Sequence, residues 1–211
     1  MKAESAISVP ECISGRKEHY MKRFYEKLLK ENWHIETPRL ILRKFTSRDR
    51  EDAFEFGNDE KTLEYLIWEG FADISQADNA IIGYYSNPGV YAVVLKATRK
   101  CIGCIDIRLK AEDEKASLGY VLNRYFWNQG YMSESLEAVL RLCFDVLGLN
   151  RVEAEHFLGN SASGRVMEKC GMKFEGVSFQ GRKVKGKYTD CVHYAVLRSE
   201  WDELMHTGER Q

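Results

Sequence analysis

The stretch "LGYVLNRYFWNQGYMSES", Leu118–Ser135, carries the reading of this chain: an apolar run gives way to an aromatic loop, a lone glycine and a helical segment. Gly130 stands just ahead of Leu136, Val139, Leu140, Cys143, Phe144 and Leu147, apolar positions at helical spacing that end at Gly148. Such a helix start offers backbone N–H groups and the positive end of the helix dipole, and a glycine lets an anion come close. Neither G-x-x-x-x-G-K-[ST] nor G-x-G-x-x-G occurs, so no common nucleotide fingerprint applies. On its own chemistry the segment reads as a helix cap with no ligand, and its surroundings must decide.

Before it, "VYAVVLKA" and "CIGCIDIRL", joined by "TRK", read as a β-hairpin, and "KASLGYVLN" as a third strand. After it come a strand, "NRVEAEHFL", a short helix, "SASGRVMEKC", ending at Gly171, and two strands, "MKFEGVSFQGR" and "KYTDCVHYAVL". Upstream, "RLILRKF" is a first strand, Ser47 caps a helix running to about Gly57, and helical stretches cover Glu60–Trp68 and Ser75–Tyr85 before the turn Asn87-Pro88-Gly89. This order predicts an α/β (α+β) mixed sheet with helices on both faces.

The first 34 residues form a separate expectation. Tyr20, Met21, Phe24, Tyr25, Leu28 and Leu29 fall at helical spacing with basic residues between them. This basic amphipathic helix either docks on its own domain or recruits a partner. The division expected is a helical extension, 1–34, and a domain, 35–206.

At 211 residues with a formal net charge of -1, the chain suits one domain with an extension and argues against broad binding to nucleic acid or a membrane surface. No apolar stretch approaches membrane-helix length, and no signal-peptide core opens the chain, so a cytoplasmic protein is expected. Cys101 and Cys104 lack a second ligand pair for zinc among Cys12, Cys143, Cys170 and Cys191. Residues three apart on a strand face opposite ways, so the two should not converge. All six read as reduced thiols, and no metal is expected.

From about Ile35 to Leu204 the chain resembles the GNAT-superfamily N-acetyltransferases of the RimJ/RimL type, the ribosomal-protein N-terminal acetyltransferase group. The stretches that carry the resemblance are "ETPRLILR", "LGYVLNRYFWNQGYMSES", "LGLNRVEAE", "NSASGRVMEKCGMKFEG" and "GKYTDCVHYAVLRSEW". The resemblance implies a GNAT-type central twisted sheet, mostly antiparallel and of about seven strands, and acetyl transfer from acetyl-CoA to a primary amine. The acceptor it implies is a peptide N-terminus or a small molecule, and the protein a monomer or homodimer.

The family pattern also places site residues. A bulged strand at Val121 and Leu122 would pair with the pantetheine arm, and a backbone N–H there would stabilise the tetrahedral oxyanion. Gln129, Gly130, Tyr131, Met132 and Ser133 would hold the pyrophosphate, with Trp127 and Met132 departing from the usual loop residues. Asn160 would bond the arm near the thiol. The tyrosine that many members use to protonate the leaving thiolate is replaced by Met167, and Ser163 takes that role by similarity to RimJ/RimL-type enzymes. Asn160 and Ser163 are equally good helix caps. Ser117 and Arg182 stand where carboxylates are often found, and Glu155, five residues before Asn160, stands where some related N-terminal acetyltransferases place their base. Tyr65 and Trp68 would wall the acceptor site. The missing tyrosine and carboxylates leave a second reading open, a non-catalytic acetyl-CoA-binding or sensing module.

Overall fold

Side-chain alternation along the first strands sets the layers. Leu40 and Leu42 face one core with Tyr91, Val93 and Leu95, while Ile41, Val90, Ala92 and Val94 face another. This part of the sheet is therefore covered on both sides. The computed structural model describes residues 11–207, with side chains from 19 to 206.

In chain order the elements are α1 (Glu11–Glu31), β1 (His34–Glu36), β2 (Leu40–Arg43), α2 (Arg50–Gly57), α3 (Glu60–Leu63) and α4 (Ile74–Ile82). The hairpin meander β3 (Val90–Leu95), β4 (Cys101–Lys110) and β5 (Lys115–Leu122) follows, then α5 (Tyr131–Arg141), which runs into a π-helical turn at Leu142–Val146. The chain ends with β6 (Arg151–Phe157), α6 (Ser161–Lys169), β7 (Lys173–Val184), β8 (Lys187–Leu197) and α7 (Arg198–Thr207). One eight-stranded sheet has the order β1-β2-β3-β4-β5-β6-β8-β7. Every pairing is antiparallel except β5 with β6.

Two cores lie on the two faces. The larger gathers Tyr25 and Leu29 of α1, Leu136 and Leu140 of α5, Met167 of α6 and Trp201 of α7 against the sheet. The smaller gathers Ala53 and Phe56 of α2 and Ala77 and Ile81 of α4 against β2, β3 and β4. Burial of such apolar side chains stabilises each by roughly 1.5–3 kcal/mol. On α1, Tyr20 and Phe24 remain exposed, so the buried face is narrower than its apolar pattern. β1 spans the expected boundary at residue 34.

Several local expectations are corrected. The sheet has eight strands rather than about seven, because the short His34–Glu36 pairs with β2. The helical stretch expected over Glu60–Trp68 stops at Leu63. The chain enters α2 through Thr46 rather than a Ser47 cap, the Thr46 N–H and hydroxyl both donating to Asp49. Cys101 and Cys104 lie in the same core, because Ile102 is bulged out of the β3–β4 register between the Val93 and Val94 partners. Burial pushes both thiols up, and neither Cys101 nor Cys104 is in a disulfide. The side chain of Cys12 lies outside those described.

Candidate active site

The parallel pairing of β5 with β6 runs only from Lys115 opposite Arg151 to Leu118 opposite Ala154. Beyond it β5 continues to Leu122 and β6 to Phe157 without pairing to each other, which leaves a slot between two central strands. The β5 side of that slot, Gly119–Leu122, spans about 13 Å at about 3.3 Å per residue. β5 keeps an unbroken register with β4 to Leu122, so the bulge expected at Val121 and Leu122 does not break this ladder. The Val121 carbonyl instead turns into the space left by the absent side chain of Gly103.

At the open end of the slot sits the start of α5. Its N-cap is Gly130, with φ of 79°, a left-handed conformation that glycine adopts without a side-chain clash. No side chain caps this helix, which leaves the first-turn N–H groups of Tyr131, Met132 and Ser133 to an external acceptor. Met132 turns into the core, 4% exposed, which explains why a large residue is tolerated there. Trp127 Nε1 donates to the Leu122 carbonyl at 2.7 Å, tying the loop to the end of β5. Gln129 is occupied locally, its side-chain amide donating to Tyr125 O at 3.0 Å.

Arg39 holds the loop from the far side. Its Nε lies 2.6 Å from Glu134 Oε2, its Nη1 donates to Gln129 O at 2.9 Å, and its guanidinium lies 4.4 Å from the Tyr131 ring centre. Glu134 also accepts from Thr37 and the Arg39 N–H, and these partners overcome burial to hold its carboxyl below the ordinary range. The "ETPRL" motif thus has a physical role that its sequence pattern did not disclose.

Two side-chain clusters flank the slot on opposite faces. On the face of α5 and α6, Asn160 caps α6 by accepting from Ser163 N at 3.3 Å, so the capping role is real. The Tyr120 hydroxyl lies 2.7 Å from Ser163 Oγ and 3.1 Å from Ser163 O. Burial raises the Tyr120 pKa, so the phenol keeps its proton at neutral pH. Tyr120 stands inside the "LGYVLN" stretch, but nothing in the sequence paired it with Ser163.

On the opposite face, beside the paired end of the slot, a cavity of about 280 Å³ is lined by Arg108, Ser117, Glu153, Glu155, Arg182 and His193, among others. Glu155 and His193 are cross-strand partners, and both face away from the core that holds Ala154 and Tyr194. Arg182, found where a carboxylate was sought, pairs with Glu155 at 2.7 Å. Tyr65 reaches the β6–α6 turn, its ring edge and hydroxyl 3.6 Å from where a Cβ of Gly159 would stand. Trp68 packs instead on Phe71, ring centres 5.1 Å apart, near Gly57. Lys185, in the β7–β8 turn, donates to Leu63 O at 2.9 Å and links that hairpin to α3.

A sequence profile of the Acetyltransferase (GNAT) domain matches residues 39–173. The chain belongs to the GNAT acetyltransferase family. YoaA of Bacillus subtilis (strain 168), an uncharacterized N-acetyltransferase, is 33% identical over 171 residues, covering 78% of this chain and 96% of that one. A GNAT-family acetyltransferase from Bacillus anthracis has a crystal structure with a TM-score of 0.73 and 28% identity, covering 79% of this chain and 99% of that one. YdaF of Bacillus subtilis (strain 168), provisionally named a ribosomal N-acetyltransferase, is 32% identical over 90 residues, covering 43% of this chain and 49% of that one.

Membership of the GNAT family makes this chain an acetyl-CoA-dependent acyltransferase. The slot and the uncapped start of α5 suit an extended thioester carrier with a pyrophosphate at one end. Among the described residues no helix is long and apolar enough to cross a membrane, and no group of three His, Cys, Asp or Glu could hold a metal ion.

Proposed function

We propose that this GNAT enzyme is of the RimJ/RimL type and moves acetyl directly to a primary amine, a peptide N-terminus or a small amine, within a ternary complex. The observation that carries the reading is the slot between β5 and β6, with an uncapped helix start at its mouth and Ser163 on its flank. The partial likeness to YdaF supports the ribosomal-type acceptor, and the turn after α3 supplies Tyr65 beside the slot as an acceptor contact.

In this reading Tyr131, Met132 and Ser133 bind the pyrophosphate through backbone N–H groups, with Gln129 and Gly130 shaping the loop. The Val121 and Leu122 backbone lines the arm, and Asn160 orients its end while capping α6. Acetyl-CoA supplies a thioester with a good leaving group. Either hydroxyl of the Tyr120–Ser163 pair can donate, and when Tyr120 donates to Ser163 Oγ the Ser163 proton is free to go to the departing sulfur. Glu155, fixed by Arg182, presents a carboxylate to the acceptor ammonium.

The test is a mixed panel of N-terminal peptides and small amines incubated with acetyl-CoA, with the product found by its acetyl mass. One or more acetylated amines with matching release of free CoA supports the reading. Tight acetyl-CoA binding with no acetylated acceptor overturns it in favour of a sensing module.

A further inference from the structure

The geometry points to His193 as the base that takes the acceptor ammonium proton, with Glu155 and Ser178 as the residues that position it. This rests on the acetyl-transfer reading above and names the proton acceptor in that site.

Three distances define the arrangement. His193 Nε2 lies 2.6 Å from Ser178 Oγ, and His193 Nδ1 lies 3.6 Å from Glu155 Oε2. The other Glu155 oxygen lies 2.7 Å from Arg182. Arg182 thus fixes the carboxylate and takes up one of its oxygens. The gap at Nδ1 is too long for a good hydrogen bond, and it leaves two acceptor atoms facing one space. A primary ammonium fits there, donating to Glu155 and Nδ1 together.

Ser178 is what makes the imidazole able to change state. A hydroxyl both donates and accepts, so Nε2 is satisfied whether or not it carries hydrogen. When the amine approaches, Nε2–H donates to Ser178 and the Nδ1 lone pair is free. After proton transfer both ring nitrogens are donors, toward Ser178 and Glu155. Histidine suits the task because either ring nitrogen can accept or donate a proton.

Position along the sheet agrees. His193 sits opposite Glu155, the first residue of β6 beyond the paired end of the slot. A carrier entering from the α5 end directs its reactive end there, from the opposite face to Ser163. The proton balance closes. His193 takes one proton from the ammonium and passes it to water. The neutral amine forms the N–C bond as the C–S bond breaks. The second amine proton leaves to solvent as the amide forms, and Ser163, having delivered its own proton to sulfur, takes one back from solvent, so amide, thiol and one net proton result. The charged groups facing His193 are Glu153, Glu155 and Arg151 of β6, Glu175 and Arg182 of β7, and Arg108 of β4.

The experiment measures kcat/KM for the acceptor against pH in wild type, His193→Gln, Ser178→Ala and Glu155→Gln, with acetyl-CoA affinity and melting temperature alongside. In wild type the acid limb follows the imidazole. In His193→Gln, activity near neutral pH falls roughly 100-fold and the limb moves up toward the amine's own pKa, about 8 for an α-amine. Ser178→Ala and Glu155→Gln shift the limb without abolishing it. A folded His193→Gln that keeps the wild-type limb and rate overturns the inference alone. If Ser178→Ala abolishes turnover and wild type accumulates an acetylated serine, the inference is overturned in favour of an acyl-enzyme. A wild type silent on every amine overturns both this inference and the acetyl-transfer reading.

Discussion

The Tyr120 hydroxyl, 2.7 Å from Ser163 Oγ, bridges the slot from β5 to the start of α6. Ser163→Ala is expected to lower kcat roughly 100-fold, the scale of a lost general acid, with little change in acetyl-CoA affinity. Tyr120→Phe keeps the ring and removes the bridge, so kcat falls less and stability drops by about 1 kcal/mol. Steady-state kinetics with calorimetric titration of acetyl-CoA separates these effects. An unaltered kcat in Ser163→Ala removes that serine from the mechanism.

Arg39 is expected to matter for binding more than for stability. Arg39 is half exposed and Glu134 keeps the Thr37 hydroxyl and the residue-39 N–H as donors, so Arg39→Ala should cost about 1 kcal/mol of stability or less. The same change frees Gln129 O and the Tyr131 ring, and acetyl-CoA binding should weaken about tenfold, or about 1.4 kcal/mol. Equal affinity in the variant would show that the loop holds its shape without the arginine.

Gly130→Ala tests the helix start directly. A left-handed φ of 79° costs a non-glycine residue about 1–2 kcal/mol, and the new Cβ would stand 3.3 Å from Arg39 Nη2. Both effects oppose the conformation that exposes the N–H groups. Weaker acetyl-CoA binding with a modest fall in melting temperature is expected, read by calorimetry and thermal denaturation.

The buried pair Arg43–Asp49 sets a pH dependence of stability. Burial alone would raise the Asp49 carboxyl, but the Arg43 guanidinium at 2.7 Å and the Thr46 donors hold it below the ordinary range. A depressed carboxyl contributes stability above its unfolded pKa, about 3.9, and loses it as pH falls through the folded value. Asp49→Asn should cost about 3 kcal/mol at neutral pH, and the difference from wild type should shrink below about pH 4. A pH series of urea denaturation curves checks this, and a constant difference would remove Asp49 from the acid limb.

Deleting residues 1–33 should destabilise the domain rather than only remove an appendage. Tyr25 and Leu29 are buried in the main core, and Tyr91 Oη donates to Asn32 O at 3.0 Å. Large-to-small changes at such sites cost about 3–5 kcal/mol. A truncated protein that melts like the full chain and keeps its activity would make α1 dispensable.

The sheet from β3 onward was legible because its strands are long apolar runs cut by turns and glycines. β1 was not, since three residues with an alternating exposed pattern leave no such signal. The faces of Cys101 and Cys104 were misread because a single bulged residue, Ile102, inverts the alternation, and no residue type announces a bulge. At the candidate site the cofactor side depends on backbone and glycine, which a motif records. The acceptor side depends on side chains that meet only in the fold. Ser178 and His193 are fifteen residues apart on a hairpin whose register shifts on both sides of Ser178, so counting along the strands does not pair them.

The paired end of β5 and β6, Leu118 beside Ala154, acts as a depth stop. On the proposed reading, whatever enters from the loop halts at the same height along β5, and main-chain atoms fix where the acetyl carbon rests. The residues that meet the amine are replaceable decorations on neighbouring strands. Such a frame can exchange its customer while keeping its reagent, because drift in the acceptor pocket does not move the carbonyl under attack.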